Sequence, residues 1–83
     1  MEYIFNPRGV CSRQFVFDIE NGTILGVRIM GGCHGNLQGI ASLLKGMSVD
    51  EAIARLGGIR CGMKPTSCPD QIAKALESYK NQL

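Results

Sequence analysis

Alternating apolar and polar residues predict two β-strands in the first third of the chain. The stretches RQFVFDIE and TILGVRI each place every second residue on one apolar face, the pattern of half-buried strands. Between them, Glu20-Asn21-Gly22 is a turn signal, so the two stretches are predicted to form a β-hairpin. The apolar face is predicted to comprise Phe15, Phe17, Ile19, Leu25, Val27 and Ile29.

The apolar pattern also predicts how the two strands are aligned. A two-residue Asn21-Gly22 loop would divide the apolar residues between both faces of the sheet. A three-residue loop over 20–22, with Gly22 in the left-handed conformation, pairs Phe17 with Leu25 and Phe15 with Val27. We prefer this alignment because one face is then wholly apolar. It sets Cys11 opposite Gly31, so that Cys11 and Cys33 meet at one end of the sheet.

The other segments predict one further strand and three helices. EYIFN, before Pro7, is a candidate edge strand. NLQGIASLLKG has helical spacing of apolar residues and ends at a glycine; the spaced residues are Leu37, Ile40, Leu43 and Leu44, and the glycine is Gly46. VDEAIARL follows a capping box, Ser48 with Glu51, and ends at Gly57-Gly58.

The last helix is predicted from Pro69 to about Asn81, with an apolar stripe along it. The stripe consists of Ile72, Leu76, Tyr79 and Leu83. Strands followed by helices predict an α+β fold, a small antiparallel sheet of about three strands with about three helices on its apolar face. The 83 residues suffice for a single domain, which we expect over 1–83.

The stretch KPTSCPDQ sets a cysteine at a predicted helix start. Pro69 suits the first helical turn and Asp70 suits the positive helix terminus, so Cys68 is the predicted N-cap. A thiol there is near the partial positive charge of the helix N-terminus, which favours the thiolate. The thiolate is the form that attacks electrophiles and binds metal ions.

Four cysteines are predicted to form one metal site. Cys11 and Cys33 are predicted at the open end of the hairpin, Cys33 also precedes a helix, and Cys61 lies in a glycine-containing loop seven residues before Cys68. Four thiolates suit zinc or an iron-sulfur cluster, because both accept tetrahedral sulfur ligation. Alternatively, the cysteines only fill buried space. His34 is either a further ligand or proton donor, or a surface histidine in a glycine-rich turn.

Composition and net charge argue against a nucleic-acid-binding protein and against a membrane-spanning one. A formal net charge of +2 with scattered basic residues does not indicate a nucleic-acid partner. The longest uncharged run, 29–44, contains four glycines and several polar residues, so no membrane span is expected. The N-terminal residues lack the pattern of a signal peptide, and we expect a cytoplasmic protein. Reduced cysteines in that compartment indicate metal or redox chemistry rather than a disulfide framework.

The pentapeptide TSCPD, with GGCHGNLQG and the C-terminal helix, resembles the TSCPD domain family, which is named for that pentapeptide. Members occur as small stand-alone proteins and as the C-terminal part of cobalamin-dependent ribonucleotide reductases. The resemblance implies a domain with metal-binding cysteines and an association with ribonucleoside-diphosphate reductase and DNA synthesis. A chain of 83 residues lacks the large barrel of that enzyme, so no stand-alone reductase is expected.

A more distant resemblance is to iron-sulfur cluster scaffolds of the NifU type. The shared order is a cysteine entering a hairpin with an NG turn, a Gly-Cys before a helix, the stretch KGMSVDEAI, and a cysteine opening a final helix. On that alignment Cys11, Cys33 and Cys68 match the three cluster ligands of the scaffold. Arg13 replaces its aspartate, Ser67 replaces its histidine, and Cys61 has no counterpart. A four-cysteine site favours a more permanent metal than a transient cluster.

Three functions are therefore compared. The first is a metal-binding module that uses Cys11, Cys33, Cys61 and Cys68. The second is a thiol redox or accessory domain for a reductase, with Cys61 and Cys68 as the redox pair. The third is an interaction domain without a metal. The expected partner is a protein of ribonucleotide reduction or iron-sulfur metabolism, and an exposed edge strand makes a homodimer a further candidate.

Overall fold

The computed structural model describes residues 1–32 and 34–82, with only the backbone for His34. Among these residues it contains an antiparallel three-stranded sheet and three helices, which confirms the predicted α+β class. The elements are β1 Glu2–Phe5, β2 Ser12–Glu20, β3 Thr23–Gly31, α1 His34–Leu44, α2 Val49–Leu56 and α3 Cys68–Asn81. The sheet order is β1-β2-β3, so that the early strand does lie at an edge of the sheet.

The predicted alignment of the hairpin is wrong. The loop has two residues, Asn21 and Gly22, both with positive φ (52° and 74°), and Glu20 pairs with Thr23. Such a turn matches the twist of the flanking strands. A bulge at Leu25 then shifts the pairing by one residue, so Phe17 lies opposite Val27. The bulge, rather than a longer loop, produces the wholly apolar face.

The observed alignment also changes which residues lie opposite each other towards the open end of the hairpin. Phe15 lies opposite Ile29 rather than Val27, and Ser12 rather than Cys11 lies opposite Gly31. Cys11 lies in the loop before β2, which begins at Ser12. Because Leu25 is the extra residue of the bulge, its side chain is 45% exposed and lies outside the core.

The hydrophobic core lies between the apolar face of the sheet and the helices. Its fully buried large side chains come from β2, from the start of β3 and from α3, and they are Phe15, Phe17, Ile19, Ile24, Ile72 and Leu76. Tyr79 packs edge-on against Tyr3, with ring centroids 5.5 Å apart, and attaches the edge strand to α3. The predicted stripe of α3 is therefore core, apart from Leu83, which lies outside the described residues.

The first two helices differ from the prediction at particular residues. α1 begins at His34, earlier than the apolar spacing indicated, and buries Leu37 and Leu44. Leu43, predicted on the same face, is 75% exposed. It lies six residues after Leu37, which at 100° per residue turns it away from the buried side. In α2 the predicted N-cap is present, because the Ser48 hydroxyl accepts from the backbone N–H of Glu51.

The segment between α1 and α2 pairs with the start of β3. The N–H of Ile24 donates to the carbonyl of Met47, and the N–H of Gly46 donates to the carbonyl of Ile24. These bonds hold the two helices against the sheet at the turn end of the hairpin. In the part of the chain that the structure describes, every helix is too short or too polar to cross a membrane.

Candidate functional site

The start of α3 is built around a serine cap. Ser67, not the predicted Cys68, is the N-cap: its hydroxyl accepts from the N–H of Asp70 at 3.1 Å and donates to the carbonyl of Ile59 at 2.6 Å. A serine oxygen is a better acceptor for an N-terminal N–H than a thiol sulfur, which explains the difference of one residue. Cys68 is therefore the first residue of the helix and is left half-buried.

Asp70 is the centre of a buried hydrogen-bond cluster. Its carboxylate accepts from the hydroxyl of Thr66 at 2.5 Å and from the backbone N–H of Gly58 at 2.7 Å, and Lys74 lies 3.1 Å away. These contacts, led by the Thr66 hydroxyl, lower the pKa of Asp70 from 3.8 to about 2. The carboxylate is consequently ionised throughout the physiological range and attaches the end of α2 to α3.

Two further bonds attach the cysteine-bearing loops to this cluster. Gln71 donates to the Thr66 hydroxyl at 3.0 Å and accepts from the N–H of Arg8 at 3.1 Å, which fixes the loop before Cys11. The carbonyl of Thr66 accepts from the N–H of Cys61 at 3.1 Å, which folds the 61–66 loop back on itself. Four residues around Cys68 therefore order the segments that carry the other cysteines. We call them the polar clamp: Thr66, Ser67, Asp70 and Gln71.

Three cysteines border one cavity of about 350 Å³, which we call the cysteine cleft. Cys11 comes from the loop before β2, Cys61 from the loop after α2, and Cys68 from the first turn of α3. The thiols of Cys11 and Cys61 are exposed, although free cysteines are among the most buried residue types. The other lining residues are Asn36, Leu37, Ile40, Ser67 and Pro69.

Ser12 is a part of the site that the sequence did not reveal. Its hydroxyl lies 2.8 Å from the Cys68 sulfur and only 4% of the residue is exposed. Gly32 packs beside it: a Cβ there would lie 3.1 Å from the Ser12 oxygen and 2.7 Å from the side chain of Leu37. Position 32 therefore requires glycine both for this close approach and for its φ of +76°.

The structure describes three of the four predicted cysteine ligands. Cys11, Cys61 and Cys68 border the same cleft, whereas Cys33 and the side chain of His34 lie outside what the structure describes. Thiols are suitable donors for zinc and for iron-sulfur clusters. Among residues 1–32 and 35–82, however, no three His, Cys, Asp or Glu side chains are grouped closely enough to hold a metal ion. The described thiols fit the donor chemistry of the site without forming a complete ligand set.

Most contacts of the polar clamp were not predicted from the sequence. Asp70 and Gln71 were predicted only as residues suited to a helix start, and Thr66 was given no role. The available signal was the pentapeptide itself: a threonine, a serine and an aspartate around one cysteine supply several short-range hydrogen-bonding groups.

The chain matches a known protein family over most of its length. The model of the family described as the TSCPD domain matches residues 3–80, nearly the whole chain. Neither the curated proteins nor the solved structures include a match.

Proposed function

The chain belongs to the TSCPD domain family, and from this membership and the cysteine cleft we propose that it is a small metal-binding module. The proposed ligands are Cys11, Cys33, Cys61 and Cys68, and the metal is zinc or an iron-sulfur cluster. The observation that carries the proposal is the cysteine cleft, where thiols separated by 50 and by 7 positions in sequence border one cavity. A zinc ion would supply a structural cross-link there, and a cluster would supply electron transfer.

The hydrogen bonding around the cleft supports a site rather than space-filling cysteines. The clamp of Thr66, Ser67, Asp70 and Gln71 holds Cys68 at a helix start, and Ser12 contacts its sulfur. Hydrogen bonds to sulfur ligands orient them and tune a bound metal. A buried, non-functional cysteine would not need such support, and two of the three described thiols are exposed.

The cellular setting is part of the same proposal. We propose that 1–83 acts as one domain in the cytoplasm, where thiols stay reduced. Its proposed partner is a protein of ribonucleotide reduction or of iron-sulfur metabolism. A relation to NifU-type scaffolds remains a prediction from the order of motifs.

A thiol redox function is the second candidate, because Cys61 and Cys68 line the same cleft. In that function the two thiols would reduce the disulfide of a partner protein. Cys61 and Cys68 would lose two electrons and two protons as they form a disulfide, and the partner's two sulfurs would become thiols.

The proposal is tested by metal and sulfide content, with a visible absorption spectrum, on protein purified without air. We expect either one zinc per chain or iron with sulfide, and loss of the metal in Cys61→Ser and Cys68→Ser. The matched control is Met63→Ala, which removes a fully exposed sulfur from the same loop as Cys61. Metal-free wild-type protein that forms a reversible Cys61–Cys68 disulfide would instead establish the redox function.

A further inference from the structure

Ser12 is a buried serine placed between the segments that carry the proposed ligands. It is the first residue of β2 and only 4% of it is exposed, although serine is usually a surface residue. It follows Cys11 directly in the sequence, and its hydroxyl lies 2.8 Å from the Cys68 sulfur. It also packs against Gly32, the residue before Cys33. One side chain therefore adjoins the segments of three proposed ligands.

The hydroxyl of Ser12 is the donor in this contact whenever Cys68 binds a metal. A cysteine ligand has lost its proton, so its sulfur can only accept a hydrogen bond. Among the described residues, the Cys68 sulfur is the hydrogen-bond partner of the Ser12 hydroxyl. Burial keeps bulk water from replacing that partner, and a buried hydroxyl without a partner is costly. The donor and its sulfur acceptor therefore hold each other in place.

The three described thiols differ in how firmly the structure holds them. Cys11 and Cys61 are exposed and lie on loops, whereas Cys68 is half-buried in the first turn of α3. In the part of the chain that the structure describes, Cys68 is the cysteine whose sulfur contacts a side-chain donor. A sulfur that is already fixed loses little freedom when a metal binds, so its position determines where the metal lies.

We propose that Ser12 is the positioning residue of the metal site. Its hydroxyl donates to the Cys68 thiolate, fixes that sulfur at the cysteine cleft and withdraws electron density from it. This inference rests on the proposed metal-binding function. Hydrogen bonds from residues behind a ligand typically contribute about 10- to 100-fold to metal affinity. If Ser12 only stabilised the fold, its loss would lower stability without changing the electronic properties of the Cys68 ligand.

The test is a double-mutant cycle between Ser12 and Cys68, measured as the cobalt(II) affinity of the reduced protein without air. Ser12→Ala should weaken cobalt binding by about tenfold or more. The same change should have less than about a twofold effect in Cys68→Ala, because the acceptor of the hydrogen bond is absent there. In Cys61→Ala it should still weaken binding by about tenfold, since the Cys68 sulfur remains.

The charge-transfer band of bound cobalt gives a second readout. A hydrogen bond to a thiolate lowers the energy of the sulfur lone pairs. Loss of the bond in Ser12→Ala should therefore move the sulfur-to-cobalt band to longer wavelength. Ser12→Thr keeps the hydroxyl and should keep the wild-type band position. A loss of stability alone would not move this band, so the measurement separates a positioning role from a structural one.

Ser78→Ala is the matched control, because it removes a half-buried hydroxyl that accepts from Tyr3 at 2.9 Å and does not border the cysteine cleft. It should leave both the affinity and the band position unchanged. The role of Ser12 is overturned, with the metal site intact, if Ser12→Ala binds cobalt as wild-type protein does with an unshifted band. Equal effects of Ser12→Ala in the Cys68→Ala and Cys61→Ala backgrounds would overturn it too. Wild-type protein that binds no cobalt would overturn the metal site and, with it, this role.

Discussion

Replacing Asp70 with asparagine should destabilise the protein far more than other acid-to-amide changes. Asparagine keeps one acceptor oxygen and turns the other into a donor, so either the Gly58 N–H or the Thr66 hydroxyl loses its acceptor. The ion pair with Lys74 is lost as well. Because these groups are buried and the lost acceptor is charged, we expect the free energy of unfolding to fall by about 2–3 kcal/mol at pH 7.

The same variant should change how stability depends on pH. The folded pKa of Asp70 is about 2 against an ordinary value of 3.8, so the folded state binds its proton less readily than the unfolded state. The resulting stabilisation is complete above about pH 4 and is lost as the pH falls from about 4 to 2. It amounts to about 1–2 kcal/mol after allowance for screening by solvent at the exposed Lys74.

Urea unfolding followed by far-ultraviolet circular dichroism measures both effects. Glu77→Gln is the matched control, because it is an acid-to-amide change on the exposed side of the same helix and should cost less than about 0.5 kcal/mol. An Asp70→Asn variant as stable as Glu77→Gln would exclude the proposed role of the Asp70 carboxylate. So would an Asp70→Asn variant that loses as much stability between pH 4 and pH 2 as the wild-type protein does.

Two further pairs of variants test the backbone and the helix cap by urea unfolding. Gly32→Ala should lower the free energy of unfolding by about 2–3 kcal/mol, since the new Cβ would lie 2.7 Å from the Leu37 side chain at positive φ. Gly22→Ala has a similar φ with open space around it and should lower the free energy by about 1 kcal/mol. Equal losses in the two variants would exclude a steric clash at position 32. Ser67→Ala should lower the free energy of unfolding by about 1–2 kcal/mol through loss of the N-cap of α3. Ser42→Ala, on the exposed side of α1, should leave the free energy unchanged. Similar losses in the two variants would contradict the capping role of Ser67.

Local patterns predicted the elements well because each depends on a few neighbouring residues. The alternation in β2 and the capping serine before α2 act within single segments, and both appear as predicted. The hairpin alignment was missed because it depends on a bulge at Leu25 that no local signal marked. Leu43 was misplaced because the prediction counted it with Leu37 and Leu44, although 100° per residue turns it away from the face that those two leucines share.

The candidate site was predictable in part. The cysteines were identified from the sequence, and three of the four border one cleft in the described structure. Ser12 and the clamp around Asp70 were not identified, because these contacts join residues from separate loops and helices.

A cobalt(II) titration of the reduced protein without air tests the proposed metal site at the cysteine cleft. Cobalt reports thiolate ligation through charge-transfer absorption and tetrahedral geometry through its visible ligand-field bands. We expect saturation at one equivalent, and affinity reduced by about tenfold or more in Cys11→Ser, Cys61→Ser and Cys68→Ser but not in Met63→Ala. Absence of charge-transfer absorption in the wild-type protein, or equal affinity in all four variants, would contradict a metal site at the cysteine cleft.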